Sequence, residues 1–481
     1  MKQKSLSTMP ARRLGAGLLA AAIVWPAIAD ACDVGVVSFS YSASGRPIIW
    51  KNRDDSNSYD QGATYYSASM PKIGGHVCLE EVFLGQKTCS GGANEAGFAI
   101  ANASVYADTN FEELINQDAS LIKEALQQCD TVACFEQKME NWQFSHGKAA
   151  VLNSNFAVMD AYGNAALYEV HAPLASSPQK ARFIKHDAVI NRFANHTNYN
   201  SFIDNPGMER KERATYLIGS LIDNGQMGPT QMMQRVAKDI CGQITDQPTT
   251  RFPTNKCISR AQTTAGMVIE GVTPGQDPRL TTIWLNLGEP SVGIFAPVFP
   301  AAHSVPDTMK MDLFGFSKLN KAIVNNEFHI YDNNGAINDL LPSPWMDTTI
   351  NLDKLQPIRD KANAIEAQAW QDTAAFLGPM RRNAALITPE KLQAFQLVTN
   401  HFVYQSYKAS SSKGYNAFSL WYIITHPWEF LRRIRMAGID FWINRNDMGQ
   451  DALNAVQVNV AYLRRQLPLE LQALKVFLAF D

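Results

Sequence analysis

The sequence predicts an α+β fold, with sheets covered by helices, followed by a C-terminal segment that is helical throughout. The first observation is an alternation of short strand-like runs with helical patterns. The strand-like runs are 34–42, 48–50, 97–103, 156–159, 165–170, 266–269 and 282–287, and the helical patterns are 111–128, 131–142, 209–222 and 229–240. The second observation is a change of pattern after residue 345, where helical periodicity covers 352–377, 388–407 and 449–479. A chain of this length exceeds one ordinary core, so we expect a larger unit at 32–344 and a helical extension at 345–481.

The first 31 residues have the pattern of a secretory signal peptide. An apolar run at 14–26 is preceded by four basic residues and followed by Ala29-Asp30-Ala31, an A-x-A cleavage pattern. The apolar run is shorter than the about 20 residues that a membrane span needs. The sequence therefore predicts a periplasmic or secreted protein that begins at Cys32, with an uncleaved N-terminal anchor as the alternative.

The charge balance argues against nucleic acid as the main partner. Cleavage would remove four of the 43 Lys and Arg residues and one of the 45 Asp and Glu residues, which leaves a formal charge of −5. A mildly acidic chain without a basic block lacks the electrostatic footprint of a nucleic-acid-binding protein.

The cysteines separate into three sequence-local couples and one remainder. Seven are present, and six of them form the neighbouring couples 78 with 89, 129 with 134, and 241 with 257. Cysteines tend to pair in an oxidising compartment, although six of them allow fifteen pairings, so these couples are predicted from proximity alone. The odd residue, Cys32, is a candidate reactive thiol and is also the first residue after the predicted cleavage point.

An N-terminal cysteine carries a nucleophile and a base in one residue. Its thiol attacks, and its α-amine, which in model compounds titrates at about 7.7–8.0, accepts a proton near neutral pH. Before cleavage the same nitrogen is an amide and cannot serve as a base. The alternative is a lipid-modified cysteine, but Ala29 and Asp30 depart from the lipobox pattern.

Four segments together resemble the linear-amide C–N hydrolases, which are N-terminal-nucleophile enzymes. This family includes choloylglycine hydrolase, penicillin V acylase, acid ceramidase and the isopenicillin N acyltransferase group. The segments are Cys32 with Lys51-Asn52-Arg53-Asp54-Asp55, the run 92–100 (GANEAGFAI), the hairpin 156–165 ending in Glu169-Val170, and Ala194-Asn195-His196, which is similar to the family's Thr/Ala-Asn-His or Thr-Asn-x element. The resemblance spans about 32–300 and leaves the C-terminal third uncovered.

The resemblance implies an αββα sandwich and a set of site residues. Asp54 would orient the α-amine of Cys32, and Asn195 would donate its side-chain amide to the oxyanion. A further donor on the strand after Gly97 is either Asn102 or Ser104, which share a strand face and cannot be separated from the sequence. Arg213 is loosely similar to a late arginine of the family.

One departure from the family pattern concerns the cations near the nucleophile. Many members have an arginine where this chain has Lys51, and Arg53 stands where an apolar residue is usual. Residues 51 and 53 share a strand face, so either cation could favour the thiolate. The alternatives are a solvated strand end for the two cations and turn-forming roles for Asp54 and Asn195. His196 is expected to be structural, because the amine already serves as base.

These residues predict hydrolysis of a linear amide through a thioester on Cys32, with a small-molecule amide substrate and no cofactor or metal. The histidines show no metal-ligand spacing, and the chain has no HExxH, P-loop or Gly-x-Ser-x-Gly motif. Two alternatives stay open: an N-acyltransferase using the same acyl-enzyme, and a lipid-anchored binding protein without catalysis.

The helical extension contains a basic aromatic segment at 428–443. Such a segment can lie on a membrane surface, but packing on the larger unit is favoured. The apolar faces of the other helices need a partner, for which the larger unit and a second copy of the chain are the leading candidates.

Overall fold

The fold is described from a computed structural model. It describes residues 32–54, 61–83, 86–105, 115–202, 207–241, 251–254, 256–311, 315–327, 330–333 and 348–410. The predicted signal peptide, the segment 428–443 and the helical pattern at 449–479 lie outside these residues.

The first large sheet is antiparallel and carries the predicted nucleophile at its start. Its six strands follow the spatial order β10-β1-β2-β12-β13-β14. They are β1 (Asp33–Val37), β2 (Ile48–Asp54), β10 (Phe193–His196), β12 (Thr263–Glu270), β13 (Thr282–Leu287) and β14 (Ala296–Val298). The predicted strand at 34–42 is wrong beyond Val37, because Ser38 turns to donate its backbone N–H to Arg192 and a 3₁₀ turn follows.

The second large sheet is an antiparallel meander of seven strands in sequence order. They are β3 (Gln61–Tyr66), β4 (His76–Phe83), β5 (Gln86–Asn94), β6 (Ala99–Ser104), β7 (Leu152–Met159), β8 (Ala165–Ala172) and β9 (Arg182–Asp187). Gly97 lies in the turn between β5 and β6 with φ +82°, a conformation that L side chains rarely adopt.

The two sheets pack face to face. Alternate residues of β1 and β2, such as Val34 and Ile49, share one apolar core with Ala101 and Ala157 of the second sheet. The side chains between them, such as Trp50, point to the opposite face of the first sheet. This period-two alternation makes one face of each sheet part of a common core.

Helices cover both outer faces, so the architecture is the predicted αββα sandwich. On the second sheet α1 (Asp118–Gln128) and α2 (Val132–Glu140) bury residues such as Leu121 and Phe135. On the first sheet, α5 (Met208–Asp223) and a helical segment at 229–237 enclose Trp50. Short α-helices elsewhere in the described part of the chain before residue 345 are α3 (Trp142–His146), α4 (Ala188–Asn191), α6 (Pro229–Gln231, the start of that segment) and α7 (Phe316–Lys321).

All three predicted disulfides are present. They join Cys78 to Cys89, Cys129 to Cys134, and Cys241 to Cys257, with Cα atoms 5.3–5.5 Å apart. Cys32 is the free cysteine of the described residues.

The C-terminal helices pack directly on the sandwich. They are α8 (Leu352–Arg382) and α9 (Pro389–Ser410). Their apolar residues, including Leu355 and Val403, extend the apolar cluster that begins between the sheets. Polar contacts reinforce this packing, since Glu366 accepts from the backbone N–H of Phe295 at 2.9 Å.

The segment just after residue 345 is not helical as expected. Thr348–Asn351 forms a strand, β16, that pairs with β11 (Arg251–Pro253) and β15 (Tyr331–Asn333) in a small third sheet. This pairing joins the two predicted units by hydrogen bonds. The boundary between them at 344 stays a prediction. Among the described helices, none has the length and apolar character required to cross a membrane.

Candidate active site

Cys32 lies at the head of β1, on the face that looks toward the second sheet. Its side chain belongs to the core between the sheets and is only 2% exposed. Strand β1 pairs Asp33 with Asn52, and continuing this register by one residue sets Cys32 beside Arg53. The β1–β2 hairpin therefore brings the predicted nucleophile to the predicted cations.

Lys51 is the cation that contacts the thiol. Its side chain is fully buried, and its ammonium hydrogen-bonds to Cys32 and to both the backbone oxygen and Oδ1 of Asn102, the latter at 3.0 Å. Burial lowers the pKa of Lys51 below its ordinary value, while the neighbouring thiol acts in the opposite direction. Lys51 thus links the two sheets at the nucleophile.

Arg53 lies on the same face of β2 as Lys51, as predicted, but its guanidinium is paired with a carboxylate. Its Nε donates to Glu81 Oε2 of the second sheet at 3.0 Å, and Gln61 Nε2 donates to the same oxygen at 3.3 Å. Both charged side chains are nearly buried. The solvated strand end is therefore excluded for both cations.

Asp54 is held in place by two donors from other elements. Arg260 Nε donates to its Oδ2 at 2.8 Å and Thr263 Oγ1 to its Oδ1 at 2.6 Å. The side chain is 1% exposed, so it is not a turn residue at the surface. Its contact with the α-amine stays a prediction, and these donors would fix the carboxylate for that role.

Asn102 and Ser104 take part in one polar cluster around Asp118. Asn102 Nδ2 donates to Asp118 Oδ2 at 2.7 Å, and Ser104 Oγ donates to the same oxygen at 2.5 Å. Asp118 is the first residue of α1. Asn102, unlike Ser104, also accepts from Lys51, the residue beside the Cys32 thiol.

Asn195 faces away from the nucleophile. It pairs with Gly35 in the sheet register, on the face that packs against α5. Its Nδ2 donates to the carbonyl of Lys211 at 2.9 Å, and its Oδ1 accepts from Thr215 at 2.9 Å. These bonds give Asn195 a helix-anchoring role, and its predicted oxyanion role has no support in the geometry.

The guanidinium of Arg213 is likewise paired with a residue other than Cys32. It forms a bidentate ion pair with Asp239: its Nε donates to Oδ2 at 3.0 Å, and its Nη2 donates to Oδ1 at 2.6 Å. A different arginine, Arg260, reaches the site residue Asp54. A role for Arg213 near the nucleophile stays a prediction.

Asp33, Arg210 and Asn198 form a buried chain beside the nucleophile that the sequence reasoning missed. Arg210 Nε donates to Asp33 Oδ1 at 3.0 Å, and its terminal nitrogen donates to Asn198 Oδ1 at 3.0 Å. Asn198 in turn donates to the carbonyl of Ser104 at 2.5 Å. Burial raises the pKa of Asp33 to about 6, against the opposing effect of Arg210. The Thr-Asn-x element fits Thr197-Asn198-Tyr199 as well as it fits residues around Asn195, and this was the available signal.

The structure also brings together three side chains of the types that bind metal ions, although their spacing in the sequence matches no metal-binding motif. Glu169, His186 and His196 present ligand atoms within 4.8 Å of one another. They come from three different strands of both sheets.

Chemical labelling tests the assignment of the free thiol. We expect alkylation under non-reducing, denaturing conditions to modify Cys32 alone, because the other six cysteines are bonded to one another. Peptide mapping by mass spectrometry should recover the three cross-linked peptide pairs. Alkylation at Cys78, Cys129 or Cys241 in the oxidised protein would contradict the pairing.

Comparison with known proteins gives matches at the level of solved structures. Neither a protein-family model nor a curated protein sequence matches the chain. A Caenorhabditis elegans N-acylethanolamine-hydrolyzing acid amidase ortholog has 11% identity and a TM-score of 0.33, and the match covers 51% of this chain and 94% of that one. A conjugated bile acid hydrolase variant from Clostridium perfringens has 9% identity and a TM-score of 0.34, covering 53% and 89%. Penicillin V acylase from Agrobacterium tumefaciens has 13% identity and a TM-score of 0.30, covering 56% and 86%.

These solved structures are amide hydrolases of the kind that the sequence motifs resemble. The similarity covers about half of this chain and is one of fold.

Proposed function

We propose that this protein hydrolyses a linear amide through a thioester on Cys32, after export and removal of residues 1–31. The observation that carries the proposal is the placement of Cys32. It is the free cysteine of the described residues, it is buried at the head of the first strand, and a buried lysine contacts its thiol. A free thiol in this position is chemically equipped for nucleophilic attack.

The proposed reaction needs a base, and the α-amine released by cleavage supplies it. The amine accepts the thiol proton, directly or through one water, as the sulfur attacks the amide carbon. The resulting ammonium then gives its proton to the leaving nitrogen, and the carbon–nitrogen bond breaks. Water, deprotonated by the free amine, adds to the thioester and releases the acid and the thiol.

The oxyanion needs a hydrogen-bond donor beside the sulfur. Continuing the pairing of Val34 with His196 by two residues sets Asn198 opposite Cys32. Its amide is buried and oriented by Arg210. We therefore assign Asn198 as the oxyanion donor in place of Asn195. The donor on the second sheet, Asn102 or Ser104, stays a prediction, because Asn102 Nδ2 is directed at Asp118. Loss of one such donor typically lowers the rate by about 10²–10³-fold.

A substrate screen with mass spectrometry tests the proposal. The mature protein should start at Cys32, release product from an N-acyl amide, and carry an acyl adduct on the Cys32 peptide during turnover. A Cys32→Ala variant should do neither. Products appearing as acylated amines when a second amine is added would indicate acyl transfer instead. A mass increase on the N-terminal peptide equal to that of a lipid group, with no turnover of any amide, would contradict the proposal.

A further inference from the structure

A Glu–His–His cluster lies between the two sheets, near the proposed nucleophile but outside its machinery. His196 pairs with Val34 of β1, so it lies two residues along the strand from the position of Cys32. Glu169 belongs to β8, and His186 belongs to β9, where it pairs with Leu167 of the inter-sheet core. The cluster therefore draws its members from both sheets.

The two imidazoles point the same nitrogen at the same carboxylate oxygen. His186 Nε2 lies 2.6 Å from Glu169 Oε1, and His196 Nε2 lies 3.2 Å from it. Glu169 and His196 are at most 2% exposed, whereas the His186 side chain is 35% exposed. One member can therefore adjust its position while the other two are fixed.

The hydrogen bonds around His196 fix its tautomer. Its Nδ1 lies 3.0 Å from the carbonyl oxygen of Tyr199, and a carbonyl can only accept, so Nδ1 carries the hydrogen. In the neutral ring, Nε2 then presents a lone pair toward the carboxylate. This nitrogen is buried and has no well-aligned hydrogen-bond partner among the described residues. In that neutral form two electron-rich atoms face each other 3.2 Å apart, and either a second ring proton or a cation has to lie between them.

A bound metal cation is one way to join these two atoms. A metal-binding histidine commonly donates its second ring nitrogen to a carbonyl, which orients the free nitrogen toward the metal. The carboxylate is oriented in a similar way, since the backbone N–H of Ser201 donates to Glu169 Oε2 at 2.5 Å and leaves Oε1 facing the histidines.

We infer that Glu169, His186 and His196 form a binding site for a divalent transition metal ion, with Zn²⁺ as the best match. Two imidazoles and one carboxylate, with a fourth position left to water, are a common zinc ligand set. Bonds of about 2.0–2.2 Å place tetrahedral ligand atoms about 3.3–3.6 Å apart. The 3.2 Å separation of His196 Nε2 and Glu169 Oε1 is close to this spacing, and the partly exposed His186 ring, whose Nε2 lies 2.6 Å from the same oxygen, has to move outward.

One cation works against metal binding. Lys211 lies 5.1 Å from the Tyr199 ring and interacts electrostatically with Glu169 and His196. Removing its charge should therefore strengthen metal binding, which a cluster with no metal function would not show.

Calorimetric titration of the chelator-treated full-length mature chain with ZnCl₂ tests the site. The Cys32→Ala variant is used throughout, so that the thiol does not bind the metal and the result is independent of amide hydrolysis. We expect one Zn²⁺ per chain. His196→Gln and His186→Gln should each weaken binding by more than the about 10–100-fold typical of losing an outer partner. Lys211→Met should tighten it by about threefold or more.

The matched control is His303→Gln, because His303 also pairs with a glutamate, Glu95, but outside the cluster. This variant should keep the stoichiometry and affinity. His186→Gln guards against misfolding, since its side chain is partly exposed, and circular dichroism checks each variant. Absence of Zn²⁺ binding to the parent protein, or Zn²⁺ affinity unchanged from the parent in the folded His186→Gln and His196→Gln variants, overturns the inference.

Discussion

Replacing Cys32 with serine is expected to lower kcat/KM for the amide substrate by about 10³-fold or more, with the fold intact. A hydroxyl ionises far less readily than a thiol, so the buried lysine beside it has almost no anion to stabilise. The two side chains have similar size, and the site is enclosed, so the substitution leaves no large cavity. Steady-state kinetics on the processed variant gives the measurement.

A second variant separates the thiol from the amine. Adding one alanine before Cys32 preserves the thiol but converts the α-amine to an amide. Turnover should fall while iodoacetamide still modifies Cys32 in the folded protein. Full activity in the extended protein would mean that another group is the base. Full activity in the serine variant would mean that Cys32 is not the nucleophile.

Sequence patterns predicted the features that depend on local order. Alternation along β2 placed Lys51 and Arg53 on one face, because side chains of a strand alternate whatever the tertiary context. The disulfides were predicted from proximity, since the couples lie 5 to 16 residues apart. Prediction from local sequence was wrong where a tertiary contact sets the end of a strand. The run at 34–42 is strand-like in composition, yet the chain turns at Ser38, whose backbone N–H donates to Arg192.

The polar partners of the site were not predictable from local order. Asp33 and Arg210 are 177 residues apart, and Asp54 and Arg260 are 206 apart. Such pairs form only when a strand of the first sheet meets a distant helix or a distant segment of the chain, and one sequence does not show which distant residues will meet. Asn195 was chosen by motif, but its strand face points it at α5, which is a fact of register. The cluster of Glu169, His186 and His196 was missed for the same reason.

Lys51 gives the sharpest test of the electrostatics at the nucleophile. Lys51→Met should lower the rate of Cys32 alkylation at pH 7 by about tenfold or more, because the adjacent ammonium favours the thiolate in a buried site. The difference from wild type should shrink as pH rises, since alkaline solution makes the thiolate without help from the lysine. The alkylation rate between pH 6 and 10 is the direct readout.

Arg53 provides the comparison that makes the Lys51 result interpretable. Its guanidinium is paired with Glu81, so its charge is largely balanced, and its removal should alter the pH profile of alkylation less than Lys51→Met does. Removing Arg53 alone would leave a buried carboxylate unpaired, which costs about 3–5 kcal/mol of folding free energy. The double variant Arg53→Met/Glu81→Gln avoids that cost. Lys51→Met removes an ammonium whose burial is unfavourable, but it also leaves two oxygens of Asn102 without that donor, so thermal unfolding is measured beside the alkylation rate. An alkylation profile that shifts in the double variant and not in Lys51→Met would assign the thiolate-stabilising charge to Arg53.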